Sequence, residues 1–250
     1  MSIGLAAMMI AVMLLTLVVP LGVMLFLRRR GGAWSEFWIG AGTFVIFVMI
    51  LEQILHTLVL RSGLGAVIQG NIWLYGLYGG LAAGIFEETG RFLAFRFVLK
   101  GRKKVTALSY GIGHGGMEAF LIVGLTMVSN LILGLMYTSG GTLPPELAGP
   151  VETLLSTPPS SFLWSGFERL TAMALHMALS VLVFASVRTR RRWLFPAVIL
   201  IHAAVDFAAV TANAHLPVAA TECLVFLLTL LAAAWAARIY KNFTESAENP

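Results

Sequence analysis

The chain predicts an all-α, polytopic transmembrane helical bundle of about seven spans, with the N-terminus outside and the C-terminus cytoplasmic. Three observations carry that expectation. Of 250 residues 58% are hydrophobic and only 12% charged, against about a quarter charged in soluble domains, so too few polar groups exist to cover a water-facing surface. The apolar residues gather into runs long enough to cross a hydrocarbon core, which takes about 20 residues as a helix. Short bursts of Lys and Arg separate alternate runs. The runs are apolar on all sides and lack period-two alternation, which argues against a membrane barrel.

Taken in order, the first span (residues 3–27) is too long for a signal-peptide core and has no basic segment before it. It ends on Arg28, Arg29 and Arg30. The second covers 34–59, and the third, 70–98, runs into Lys100, Arg102, Lys103 and Lys104. The fourth covers 105–136. Residues 138–161 then hold Pro144, Pro145, Pro150, Pro158 and Pro159, which deny them a continuous helix and imply an external loop. The fifth span, 163–187, ends on Arg188, Arg190, Arg191 and Arg192. The sixth (194–213) and seventh (217–237) complete one transmembrane domain over 1–250, with Arg238 and Lys241 after the last and a frayed tail from Asn242 to Pro250.

The bursts hold three, four, four and two of the 17 Lys and Arg residues. All fall at the same end of the spans, the pattern of cytoplasmic anchors. The formal charge of +5 therefore speaks for a multi-pass protein of the cell membrane in contact with lipid, not for a nucleic-acid partner. Cys223 is the single cysteine, so neither a disulfide framework nor a cysteine metal site is available.

Ionisable groups inside spans require partners or water. Counted from the basic bursts at about 1.5 Å per residue, Glu87 and Glu88 lie roughly 18–20 Å deep, His114 roughly 15 Å, His176 roughly 18 Å, and His202 and Asp206 roughly 15 and 21 Å. Four spans thus deliver acids and imidazoles to one layer. His114 and Glu118, like His202 and Asp206, are i,i+4 pairs sharing a helix face. Arg91 lies within one turn of both glutamates, allowing an ion pair. Adjacent glutamates point about 100° apart, so one can face a cavity while the other serves the fold. Glycines around them (Gly84, Gly90, Gly111, Gly113, Gly115, Gly116) suit either close helix packing or room for a substrate backbone. His56, His215, Glu52, Glu222 and the Glu168–Arg169 pair are read as boundary or structural groups.

Glu87-Glu88-Thr89-Gly90-Arg91, Tyr110-x-x-x-His114 and His202-x-x-x-Asp206 resemble, in order and placement, the three motifs of the CAAX-protease and bacteriocin-processing superfamily of intramembrane proteases. The resemblance covers spans three to six and leans toward the YhfC family, with the PrsW family a cousin. The arginine sits one residue closer to the glutamates than in CAAX proteases, Tyr110 stands where phenylalanine is usual, and Asp206 replaces asparagine, which argues against a prenylated substrate. The resemblance implies an intramembrane endopeptidase acting on a membrane peptide or protein. In it Glu87 or Glu88, supported by Arg91, is the base for an attacking water, and His114 and His202 orient that water or stabilise the oxyanion. Tyr110 and His176 are secondary. An alternative has His114, Glu118, His202 and Asp206 holding zinc or another divalent metal, although no His-Glu-x-x-His motif is present. Water is expected to enter from the cytoplasmic half, the shorter apolar distance. A proton- or cation-coupled transporter and an inactive membrane scaffold are the competing readings.

Overall fold

In the computed structural model the described residues are 1–100 and 103–242, so Arg102 and the tail after Asn242 lie outside them. These residues fold into helices without a strand. Helix α1 (Ile3–Arg28) starts on Ser2, whose hydroxyl accepts from the Leu5 amide at 3.2 Å. Helix α2 (Trp34–Leu60) opens with Glu36 capping the Ala33 amide at 3.0 Å. A short α3 (Gly63–Gln69) leads to α4 (72–98), capped by Asn71. Helix α5 (Val105–Thr138), α6 (Pro145–Ser156), α7 (Ser161–Thr189), α8 (Leu194–His215) and α9 (Val218–Lys241) follow. Three long helices contain π-helical stretches: Val45–Glu52 in α2, Ala94–Val98 in α4 and Phe120–Gly124 in α5.

Among the described residues six helices, α1, α2, α5, α7, α8 and α9, are long and apolar enough to cross a membrane. The expected third span, α4, has similar length but carries Glu87, Glu88 and Arg91. The expected loop at 138–161 contains α6. Proline is less disruptive there than its number suggests, because Pro145 occupies the first helical position, where no intrahelical N–H bond is lost. Leu154 and Leu155 of α6 pack against the cluster of Leu5, Met9, Met127 and Phe162.

Helix α7 is central. Within its most apolar stretch 72% is buried inside the protein, against at most 33% for the other five. Glycines let its neighbours approach backbone to backbone. A Cβ on Gly113 would lie 2.0 Å from the Phe37 carbonyl oxygen, joining α5 to α2. One on Gly84 would lie 2.7 Å from the Ile199 carbonyl oxygen, joining α4 to α8. At Gly111 and Gly115 the neighbour is α7 itself, at Met177 and Met173. These glycines therefore serve close packing, one of the two roles their positions suggested. Thr106 adds a polar tie, donating to Glu36 at 2.8 Å.

The basic bursts gather at one end of the bundle. The Lys104 ammonium lies 5.1 Å from the Tyr240 ring centre, joining the second burst to α9. Arg96, Arg190 and Arg192 line a single cavity of about 440 Å³.

Candidate active site

The α4–α8 and α5–α7 contacts bring four helices' ionisable groups together. Glu87 Oε2 accepts from His114 Nε2 at 2.8 Å and lies 3.7 Å from His176 Nδ1. The neighbouring Glu88 points elsewhere: its Oε1 is 2.7 Å from His202 Nδ1 and its Oε2 is 3.4 Å from Arg91. Arg91 is completely buried, and its guanidinium also donates to His176 Nδ1 at 3.0 Å. The other nitrogen of His176 is 2.5 Å from Glu118 Oε2, while Glu118 Oε1 accepts from Arg169 at 2.9 Å. His202 Nε2 faces Asp206 at 3.5 Å. The three imidazoles form a row, with ring centres 4.8 Å apart for His114–His176 and 5.4 Å for His176–His202. Tyr110 packs its ring on Phe95 and flanks His114.

This layer floors a cavity of about 510 Å³ between α7, α8 and α9, into which Glu87, Glu118, His176, His202 and Asp206 face. His114 and Glu88 sit behind the floor, both with no exposed surface. The upper walls come from Ser161, Ser165, Asn213 and Val218, the ends of α7, α8 and α9 remote from the basic bursts. Access through the half nearest those bursts, expected from apolar depth, is therefore corrected. The remote half is lined by Glu168, Arg169, Thr221 and Glu222, so it is not an apolar barrier.

Of the four residues of the metal-bound alternative, only His114 belongs to the group whose ligand atoms lie close together among the described residues. That group is Glu87, His114 and His176, with one atom from each within 4.8 Å of the others. Glu118 is held between His176 and Arg169, and His202 is tied to Glu88. One carboxylate and two imidazoles form a donor set found in catalytic zinc sites, so the residues fit a divalent ion. Both nitrogens of His176 are engaged, by Arg91 and Glu118, so binding there would exchange one of those contacts.

Two residues read as boundary groups are buried. Arg169, 7% exposed, reaches inward to Glu118 and also contacts Glu168. Its position two helical turns before His176 was the available signal. Glu52, 4% exposed, lies 3.2 Å from His56, which contacts the Tyr78 hydroxyl at 2.8 Å.

The sequence profile of the YhfC intramembrane metalloprotease family matches residues 15–226. The chain belongs to the YhfC family. It is similar to the uncharacterized membrane protein YhfC of Bacillus subtilis (strain 168), with 35% identity over 238 residues covering 90% of this chain and 92% of that one. The match spans every residue of the cluster, from Glu87 to Asp206. With its six apolar helices, this YhfC-family chain is a multi-pass protein of the cell membrane.

Proposed function

We propose that the protein is an intramembrane endopeptidase that hydrolyses a peptide bond of a membrane-embedded or membrane-adjacent substrate. The observation that carries this reading is the Glu87–His114 pair at the floor of a polar cavity, with His176 and His202 beside it. The family name points to the same chemistry, and the ordered motifs favour a place in the wider CAAX-protease and PrsW superfamily. In this reading α4 is the seventh crossing, and the basic end faces the cytoplasm by the positive-inside rule. The cavity then opens toward the outer side, and bilayer lipid and a membrane peptide are the partners.

The roles follow from which carboxylate meets the cavity. Glu87 takes the proton of the attacking water, and His114 behind it orients the carboxylate. Glu88 holds His202 by Nδ1 and is itself held by Arg91, so it positions the ring without meeting the substrate. His202 has a carboxylate at each ring nitrogen and so can present an N–H to the cavity, the group an oxyanion needs. Glu87, His114 and His176 would hold a divalent ion, which when bound would supply Lewis acidity and a more acidic water.

The test is cleavage of a library of labelled apolar transmembrane peptides by protein in lipid nanodiscs. Glu87→Gln keeps volume and hydrogen bonding but removes the base, and should lower turnover about 100-fold or more. Undiminished cleavage by that variant would refute the mechanism. Proton-coupled solute uptake without any cleavage would move the reading to a transporter.

A further inference from the structure

The walls of the same cavity carry charge and hydrogen-bonding capacity beyond what the catalytic layer uses. Among the described residues Arg169 is the one Lys or Arg lining the cavity, and it is already matched twice, by Glu118 at 2.9 Å and by Glu168. Glu222 shares that cation only at longer range and makes no direct ion pair among the described residues. Its Oε2 is enclosed and has no hydrogen-bond partner among the described residues.

The hydroxyls of Thr221 and Thr229 on the same helix are also enclosed and unpartnered, in side chains only 3% and 1% exposed. All three residues line the cavity. A helical threonine commonly returns its hydroxyl to a preceding-turn carbonyl, as Thr211 does to Phe207 at 2.7 Å. The two on α9 do not. Unmet polar atoms in so enclosed a place are costly, and those on α9 gather along the wall facing the catalytic layer.

We propose that α9 is the substrate-recognition wall, and that Glu222 receives a cationic group of the peptide, either a Lys or Arg side chain or a free terminal ammonium. The peptide enters from the end remote from the basic bursts. The Thr221 and Thr229 hydroxyls meet its backbone, and the Trp164 ring on the same cavity offers a second face to the cation. This inference rests on the peptidase reading for the identity of the occupant.

The experiment uses full-length Glu87→Gln protein in nanodiscs, so that binding is read without turnover. Three apolar peptides labelled at the C-terminus are compared: an N-acetylated peptide with one central Lys, its Lys→Glu version, and a Lys-free peptide with an open amino terminus. At least one cationic peptide should bind about tenfold tighter than the Glu version. Preference for the first cationic peptide alone assigns the side chain, and for the open terminus alone the ammonium. Adding Glu222→Gln should remove the preference, and Glu222→Lys should reverse it. Equal binding of all three peptides, or a preference that survives Glu222→Gln, would overturn the proposal. Cleavage is measured separately with Glu87 intact. No cleavage alongside an intact binding preference sinks the peptidase reading alone, and cleavage with no charge preference sinks this one alone.

Discussion

Glu88 and His202 are locked together at 2.7 Å, in side chains 0% and 3% exposed, while Glu87, one residue earlier on α4, turns to His114 and the cavity. The roughly 100° between consecutive helical residues thus separates two carboxylates that look alike in the sequence. Glu88 anchors a network of Arg91, His176 and His202; Glu87 meets whatever enters the cavity.

That division predicts opposite phenotypes for the two amides. Glu88→Gln removes the carboxylate that balances buried Arg91, and breaking a buried pair from one side destabilises by about 3–5 kcal/mol. Its thermal midpoint in detergent should fall clearly. Glu87→Gln should melt near the wild type yet be inactive. Equal loss of stability in both variants would contradict the division.

The Glu87, His114 and His176 group predicts which substitutions control metal. If purified protein carries a divalent ion, elemental analysis should find about one per chain. His114→Ala and His176→Ala should each lower that content, and His202→Ala should retain it, because His202 is tied to Glu88. Loss with His202→Ala but not with His176→Ala would assign the ion to the alternative set of His114, Glu118, His202 and Asp206.

Cavity orientation can be read by labelling. In a Cys223→Ser background, Asn213→Cys lies at the cavity mouth and Trp193→Cys lies beside the basic burst. An impermeant maleimide applied to intact cells should reach Asn213→Cys and not Trp193→Cys, and a tag after Pro250 should be protected. The opposite pattern would invert the topology.

Gly113→Ala should destabilise by about 1–3 kcal/mol, the range for overpacking, because its Cβ would meet the Phe37 carbonyl oxygen. Gly42→Ala, on the partner helix α2, meets nothing within 4 Å and should be neutral or slightly stabilising in a thermal melt. Equal melts for the two variants would mean that the α2–α5 approach is looser than its geometry.

Much of this was legible beforehand because the bilayer imposes length and polarity rules that composition must obey. The expected span at 163–187 became Ser161–Thr189 and that at 194–213 became Leu194–His215. Convergence of Glu87, His114 and His202 was legible from depth counting, since charge bursts mark a common zero. Depth does not give azimuth, however. The π-helical stretch Val45–Glu52 shifts the register that an ideal helix wheel assumes. Arg169 does pair with Glu168 as its position suggests, but its long side chain also runs inward to Glu118, which a place near a helix end does not reveal. The direction of the cavity depends on which faces of α7, α8 and α9 oppose one another, and no single helix encodes that.

The partners of α4 have a consequence for how the protein is made. Among the described residues it is the long helix that falls outside the six apolar ones, and on translocon scales a mid-helix Asp, Lys or Arg adds about 2.5–3.5 kcal/mol to insertion. The contacts that offset this arrive late: Glu87 meets a residue 27 positions on, Arg91 one 85 positions on, and Glu88 one 114 positions on. Synthesis must run well into α8 before Glu88 can find His202. Insertion of α4 is thus a cooperative act of the nascent chain, and truncations ending before His202 should leave α4 stranded at the membrane surface, exposed to quality-control proteases.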